Sequence, residues 1–416
     1  AIPVMVSGKE VHLAFAGRSF LMDSLSAFFV VIISALAPLA ALYSVSYMKP
    51  YAGRGRGFTA HYLFLPVLAA SMTAVVISSD ALSFLFSWEI MAISSFFLVI
   101  FEDNKKETLE AGIYYLVMSH ISAALLIAGF ALASGNGMSF VSISDTMRGT
   151  QAHAALVFAL LSCGFAVKAG IVPFHTWLPA AHPAAPSHIS ALMSAVMIKM
   201  GIYGFLRALV IMPETAAQSS YFFIAAGLIS SFAGILNSMA QRDIKRSLAY
   251  STIENAGIIT TAIGFGLLGT ASGNALMSSA GFAGALMHVM NHSLIKTALF
   301  FGAGTVYHAV HTRDMAHMGG LSGKMPLTSS SFLAGSAAIS GLPPFSGFIG
   351  KFLIYIAMIE AARSGAGPDG AAGVISLAVF GLVSSMSIIS FTRIYGIVFC
   401  GMARGREAAE IKSEDK

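Results

Sequence analysis

Long apolar runs divided by short polar connections dominate the chain. Runs of about 18 or more apolar residues predict membrane-crossing helices. About eleven stand out: 24–47, 61–78, 80–101, 111–134, 153–180, 186–211, 219–240, 247–268, 277–310, 327–360 and 373–400. Backbone groups in hydrocarbon must be satisfied internally, and these runs are too long for barrel strands. The pattern therefore predicts an all-α polytopic membrane bundle.

Composition agrees. Apolar residues make up 56% of 416 positions and charged residues only 10%, against about 25% charged in a soluble domain. That leaves too little polar surface to face water. The net charge of +5 arises from basic residues scattered between apolar runs, which excludes a nucleic-acid patch and instead sets topology. One side of the membrane receives Lys49, Arg54, Arg56, Lys105, Lys106, Arg242, Lys245, Arg246, Arg313, Lys324, Arg404, Arg406, Lys412 and Lys416; the other receives Lys9, Arg18, Arg148, Arg207 and Arg363. The richer side is expected to be cytoplasmic. A multi-pass protein of the cytoplasmic (inner) membrane follows, with residues 1–60 forming an extracytoplasmic N-terminal segment plus an extra helix at 24–47, and with a cytoplasmic tail at 401–416. The chain starts at Ala1 rather than Met, the expectation for a processed or truncated chain.

Two runs are longer than a span and interrupted: VKAGIVPFHTWLP (Val167–Pro179) and AISGLPPFSGFIGKF (Ala338–Phe352). Pro173 cannot donate to the carbonyl of Ala169, and Pro343 and Pro344 abandon the carbonyls of Ile339 and Ser340. Bare carbonyls at membrane depth are tolerated only inside protein or beside a water-filled cavity. A packing kink would be the bland explanation, but a Lys flanks each break, at 168 and 351. The breaks fall five crossings apart, so the broken helices run in opposite directions. This predicts two inverted five-helix repeats, 61–211 and 219–400, each with a broken helix.

Ionisable residues lie inside the spans. Glu89, Lys168, Lys199, Lys296 and Lys351 would each cost about 2.5–3.5 kcal/mol at a helix centre, which makes a purely structural scaffold a poor explanation. Glu89 reads as the single carboxylate central to a span, and Lys168 as its partner in an ion pair whose opening and closing would shift a proton. His288, His292 and Lys296 recur at i, i+4 and i+8, on one helix face, and imidazole suits proton relay. Zinc is disfavoured there, for want of HExxH or a third ligand at helical spacing. His120 lies near mid-span without such company. His175, His182 and His188 fall in a Pro- and Ala-rich connection and are expected to be solvated. Cys163 and Cys400 lack partners at metal or redox spacing. No nucleotide, flavin, haem or iron–sulfur signature occurs, so the chain itself carries no cofactor, and its driving energy is expected from an ion gradient or another subunit.

The stretches FSWEIMAISSFFLV, VKAGIVPFHTWLPAAHPAAPSHISALMSAVMIKMGIYGFLR, NHSLIKTALFFGAGTVYHAVHTRD and AISGLPPFSGFIGKF resemble the antiporter-like membrane subunits of complex I, membrane-bound hydrogenases and Mrp antiporters. Residues 102–134 and QRDIKRSLAYSTIENAGII are most similar to the formate hydrogenlyase and hydrogenase-4 component B subgroup. The resemblance implies a proton relay of Glu89, Lys168, Lys199, His292, Lys296 and Lys351. It implies partners as well: other membrane subunits and a peripheral redox module with iron–sulfur clusters and a nickel–iron or quinone site. This chain would then be the non-redox, ion-translocating subunit of an oxidoreductase. The alternatives are an Mrp-type Na⁺/H⁺ antiporter subunit and a proton-coupled inorganic-carbon uptake subunit. Two departures stand out: many relatives carry Glu at the position of Lys351, and they usually have about fourteen helices.

Overall fold

A computed structural model describes residues 1–15, 18–135, 137–148 and 151–411. Lys412 and Lys416, counted above toward topology, lie outside the described residues. The chain opens with α1 (Ile2–Ser7) and an antiparallel hairpin, β1 (Val11–Phe15) and β2 (Arg18–Met22), pairing Val11 with Met22. This hairpin departs from an all-helical reading; its strands are too short to register against the long apolar runs. Next come α2 (Ser24–Tyr47), α3 (Arg56–Ile77), α4 (Ala81–Val99), α5 (Lys106–Ala133), α6 (Phe140–Met147) and α7 (Gln151–Ala169). The middle of the chain holds α8 (Leu178–Ala184), α9 (Ser187–Leu192), α10 (Ile198–Ile211), α11 (Pro213–Gln218) and α12 (Ser220–Ala240). The remainder is α13 (Ile244–Ser272), α14 (Ala275–Val310), α15 (Pro326–Ser340), α16 (Ser346–Ala362), α17 (Pro368–Phe399) and α18 (Arg406–Glu410).

Among the described residues, seven helices are long and apolar enough to cross a membrane: α2, α3, α4, α5, the continuous run α9–α10, α12 and α17. The other four expected crossings are helical too, but two are split at their prolines and two carry polar or ionisable positions along their length. Those four hold Lys168, Lys296, Lys351 and both His288 and His292.

Both interruptions occur where the prolines place them. α7 stops at Ala169 and α15 at Ser340, and each is followed by a glycine in the left-handed region, Gly170 (φ 72) and Gly341 (φ 80). Glycine terminates a helix this way without a Cβ penalty, and proline just beyond prevents resumption. The Pro- and Ala-rich connection is not a solvated loop. It folds into α8 and α9, and His182 and His188 are fully buried. Proline is tolerated in a helix's first turn, so Pro179 in α8 does not prevent helix formation.

The chain divides into two compact units, Ala1–Gly170 with Val196–Ala217, and Ile171–Ala195 with Gln218–Lys416. In the first, α3 packs on α4, α4 on α5, α5 on α7 and α7 on α10. The last contact is very close: a Cβ at Gly201 would stand 2.6 Å from the Ala169 amide nitrogen, so only glycine fits. In the second unit α12 packs on α13, α13 on α14, α14 on α16 and α16 on α17. Its core joins Leu299, Phe300 and Val306 of α14 to Phe332 and Ile339 of α15 and Phe391 and Ile394 of α17.

Within the first unit, Asp23 caps α2 by accepting from the Ser26 amide at 2.8 Å. It also accepts from Arg207 Nη1 and Nη2 at 2.7 and 3.0 Å. Burial pushes the Asp23 carboxyl up, but the Arg207 and Ser26 hydrogen bonds outweigh it and hold it below its ordinary value. Because the folded value is depressed, this contribution is complete above the unfolded carboxyl value of about 3.9. It is lost as pH falls through the folded value. Asp23→Asn is expected to cost about 1.5–3 kcal/mol at neutral pH, read as a lower unfolding temperature in detergent. The gap from the native protein should close as the pH is taken well below the carboxylate range; a gap of equal size in acid would contradict the pair's role.

Candidate functional site

In the first unit the last turn of α7 presents Lys168, only 1% exposed. Its Nζ donates to Tyr115 Oη of α5 at 2.9 Å. It also lies over two aromatic rings, 5.2 Å from the centroid of Tyr115 and 5.8 Å from that of Trp88. Tyr115 Oη shares a 2.5 Å hydrogen bond with Ser95 of α4. The expected ion pair with Glu89 is not formed. Glu89 follows Trp88 on α4 and is half-buried, while Lys168 Nζ is taken by Tyr115. The reason is local: a phenol oxygen and two π faces stabilise the ammonium without a carboxylate. Lys199 is the second residue of α10, which directly follows the π-helical turn Met193–Met197, and is 1% exposed. Close approach at Gly201 brings its helix against the end of α7. His120 sits apart from these groups, on the exposed side of α5, where its Nδ1 donates to Leu116 O one turn earlier at 3.1 Å.

The second unit assembles a larger set. His288, His292 and Lys296 lie on one stripe of α14, all buried, with the two imidazole centroids 6.4 Å apart. His288 Nε2 donates to Asn255 Oδ1 of α13 at 2.9 Å. Lys296 Nζ donates to Leu248 O at 2.8 Å and, through a short bond, to Ser251 Oγ. The ring of Phe300 lies 5.9 Å from that Nζ and also stacks on His182 of α8 at 5.3 Å. Lys351, on α16, donates to Ile339 O and Ser340 O at 3.3 and 3.2 Å. These are the two carbonyls that Pro343 and Pro344 abandon, so the lysine beside the break caps it. Its stem runs over Gly341, where a Cβ would stand 2.8 Å from Lys351 Cδ.

Sequence reasoning passed over one residue. Glu89 is not the single carboxylate deep in a span. Glu254 lies ten residues into α13 from Ile244, about 15 Å along the axis, and is fully buried. It lies within electrostatic reach of Lys351 and Lys296, with Ser387 of α17 alongside. Its signal was the ENAG step inside QRDIKRSLAYSTIENAGII, masked by the charged connection just before it. Among the described residues, no group of three or more His, Cys, Asp or Glu is arranged to hold a metal ion.

A family model described as NADH:quinone oxidoreductase/Mrp antiporter, TM, matches residues 78–364. A second, described as NADH-ubiquinone oxidoreductase (complex I), chain 5 N-terminus, matches residues 15–58. Hydrogenase-4 component B of Escherichia coli is 39% identical over 401 residues, covering 95% of this chain and 59% of the relative. NADH-quinone oxidoreductase subunit M of Pseudomonas aeruginosa is 31% identical over 408 residues, covering 93% of this chain and 73% of that one. Among solved structures, the membrane-bound sulfane sulfur reductase, an archaeal respiratory membrane complex, contains a chain that superposes with a TM-score of 0.84 at 26% identity, covering all of this chain and 67% of its own length.

The Tyr115 contact yields a direct test. Tyr115→Phe removes the acceptor of Lys168 Nζ and the bond to Ser95 while keeping the ring. Stability should fall by about 1–3 kcal/mol, measured as the unfolding temperature of the solubilised protein. An unaltered unfolding temperature would contradict the Lys168–Tyr115 bond.

Proposed function

This chain belongs to the NADH:quinone oxidoreductase/Mrp antiporter transmembrane family, and from that premise we propose that it is the proton-translocating, antiporter-like subunit of a membrane-bound energy-converting oxidoreductase complex of hydrogenase or complex I type. The observation that carries the reading is the line of buried ionisable groups, above all His288, His292 and Lys296 on one stripe of α14 with Lys351 at the neighbouring helix break. Amine and imidazole nitrogens bind and release protons, whereas a sodium ion calls for a cage of oxygens. The relay comprises Glu89, Lys168 and Lys199 in the first unit and His288, His292, Lys296 and Lys351 in the second. Lys168 on Tyr115 is the open state of the Glu89–Lys168 pair, and closing it draws a proton in. His120, on the outer side of α5, serves at most where another subunit covers that face.

Eleven crossings, with the N-terminus outside and the C-terminus cytoplasmic, form an extra helix and two inverted repeats. Supporting this, the order of packing from α3 to α10 is matched from α12 to α17, and each set is broken at a Gly-then-Pro step. Iron–sulfur clusters, and any nickel–iron or quinone site, would belong to partner subunits.

Two measurements test the proposal. Purification of the intact complex from native membranes, followed by mass spectrometry, should identify iron–sulfur and nickel–iron or quinone-module subunits. Recovery of small membrane subunits alone would replace this reading with an Mrp-type antiporter. Glu89→Gln and Lys296→Ala should each lower proton uptake by about tenfold or more in a complex that still assembles, and undiminished uptake in both would overturn the relay.

A further inference from the structure

Both oxygens of the Glu254 carboxyl are buried and receive no hydrogen bond from the described residues. A buried carboxylate in that condition is costly, because the Ser387 hydroxyl alongside offsets little of its desolvation. Two ammonium groups lie within electrostatic reach, yet neither is spent on it: Lys296 is held by Leu248 O and Ser251, and Lys351 by the carbonyls of Ile339 and Ser340. A structural ion pair would look different, with a lysine and the carboxylate joined and the carbonyls left to other donors. The helices α8 (with His182), α12, α14, α16 and α17 all pack on α13. From α14 come Lys296 and His288, the latter bound to the adjacent Asn255; from α16 comes Lys351, and from α17 the hydroxyl of Ser387. From α12 comes the bare backbone of Gly234, where a Cβ would stand 2.8 Å from Glu254 Cα.

We propose that Glu254 is a further proton carrier of the second unit, the group through which Lys351 and Lys296 exchange a proton. The inference rests on the proton-translocating reading given above. In one direction, Lys351 lets go of the two carbonyls at the break and turns to Glu254. An Nζ–H bond breaks, its electron pair stays on Nζ, and an Oε–H bond forms. Once Lys296 has released its own proton onward, breaking an Nζ–H bond and keeping the electron pair on Nζ, Glu254 gives its proton to that neutral amine, which regenerates the carboxylate and restores the ammonium on α14. The carbonyls of Ile339 and Ser340 act as the resting place that holds Lys351 between transfers. The arrangement also gives the second unit a carboxylate on the second helix of its packed set, as Glu89 is on the second helix of the first.

The test uses the intact complex in native membrane vesicles, with proton uptake and infrared difference spectra across pH steps recorded on the same preparations. In the native protein, a C=O band of a protonated carboxylic acid should respond to pH. That band should vanish in Glu254→Gln and persist in Glu89→Gln. Uptake should fall by about tenfold or more in Glu254→Gln and recover in part in Glu254→Asp, which a loss of folding would not allow. Uptake undiminished in Glu254→Gln, or a band that survives the substitution, overturns the role of Glu254 alone. Native vesicles that move no protons overturn the translocation reading itself.

Discussion

An ionised side chain in hydrocarbon must find a partner, water or a proton, and the rest of this structure depends on how that requirement is met. Lys168, Lys296 and Lys351 meet it without any ion pair to a carboxylate. One is held by a tyrosine hydroxyl and lies over that ring and a tryptophan, one is held by a carbonyl and a serine, and one by two carbonyls at a helix break. Such acceptors are neutral. They stabilise an ammonium well enough to keep it buried and leave it free to exchange charge with a neighbour.

The broken helices follow from the same constraint. An exposed carbonyl at membrane depth costs free energy, and a buried lysine without an acceptor costs more. Placing Lys351 against Ile339 and Ser340 settles both at once. Gly341 makes the arrangement possible, because it closes α15 at positive φ and leaves room for the lysine stem to pass over it.

Much of this was legible in the sequence because the strongest signals are one-dimensional. Apolar run length located the helices to within a few residues, and proline chemistry named the very carbonyls that Lys351 caps. Helical periodicity aligned His288, His292 and Lys296. What escaped depends on three-dimensional surroundings. Lys168 pairs with Tyr115 rather than Glu89 because aromatic rings from α4 and α5 converge on it, which spacing along the chain does not encode. His182 and His188 are buried because a Pro- and Ala-rich stretch folds into two short helices instead of a solvated connection. Glu254 went unnoticed because it follows a charged connection closely, and only the full extent of α13 places it deep. The N-terminal hairpin is too short to rise above the apolar background.

The central claim is that this chain carries protons along its buried amines and imidazoles. The most direct measurement is acidification or alkalinisation inside sealed vesicles holding the purified complex, followed with an enclosed pH-sensitive dye in the presence and absence of sodium. The account predicts turnover-linked proton movement of the same size in sodium-free buffer. Proton movement that disappears when sodium is withdrawn would contradict it.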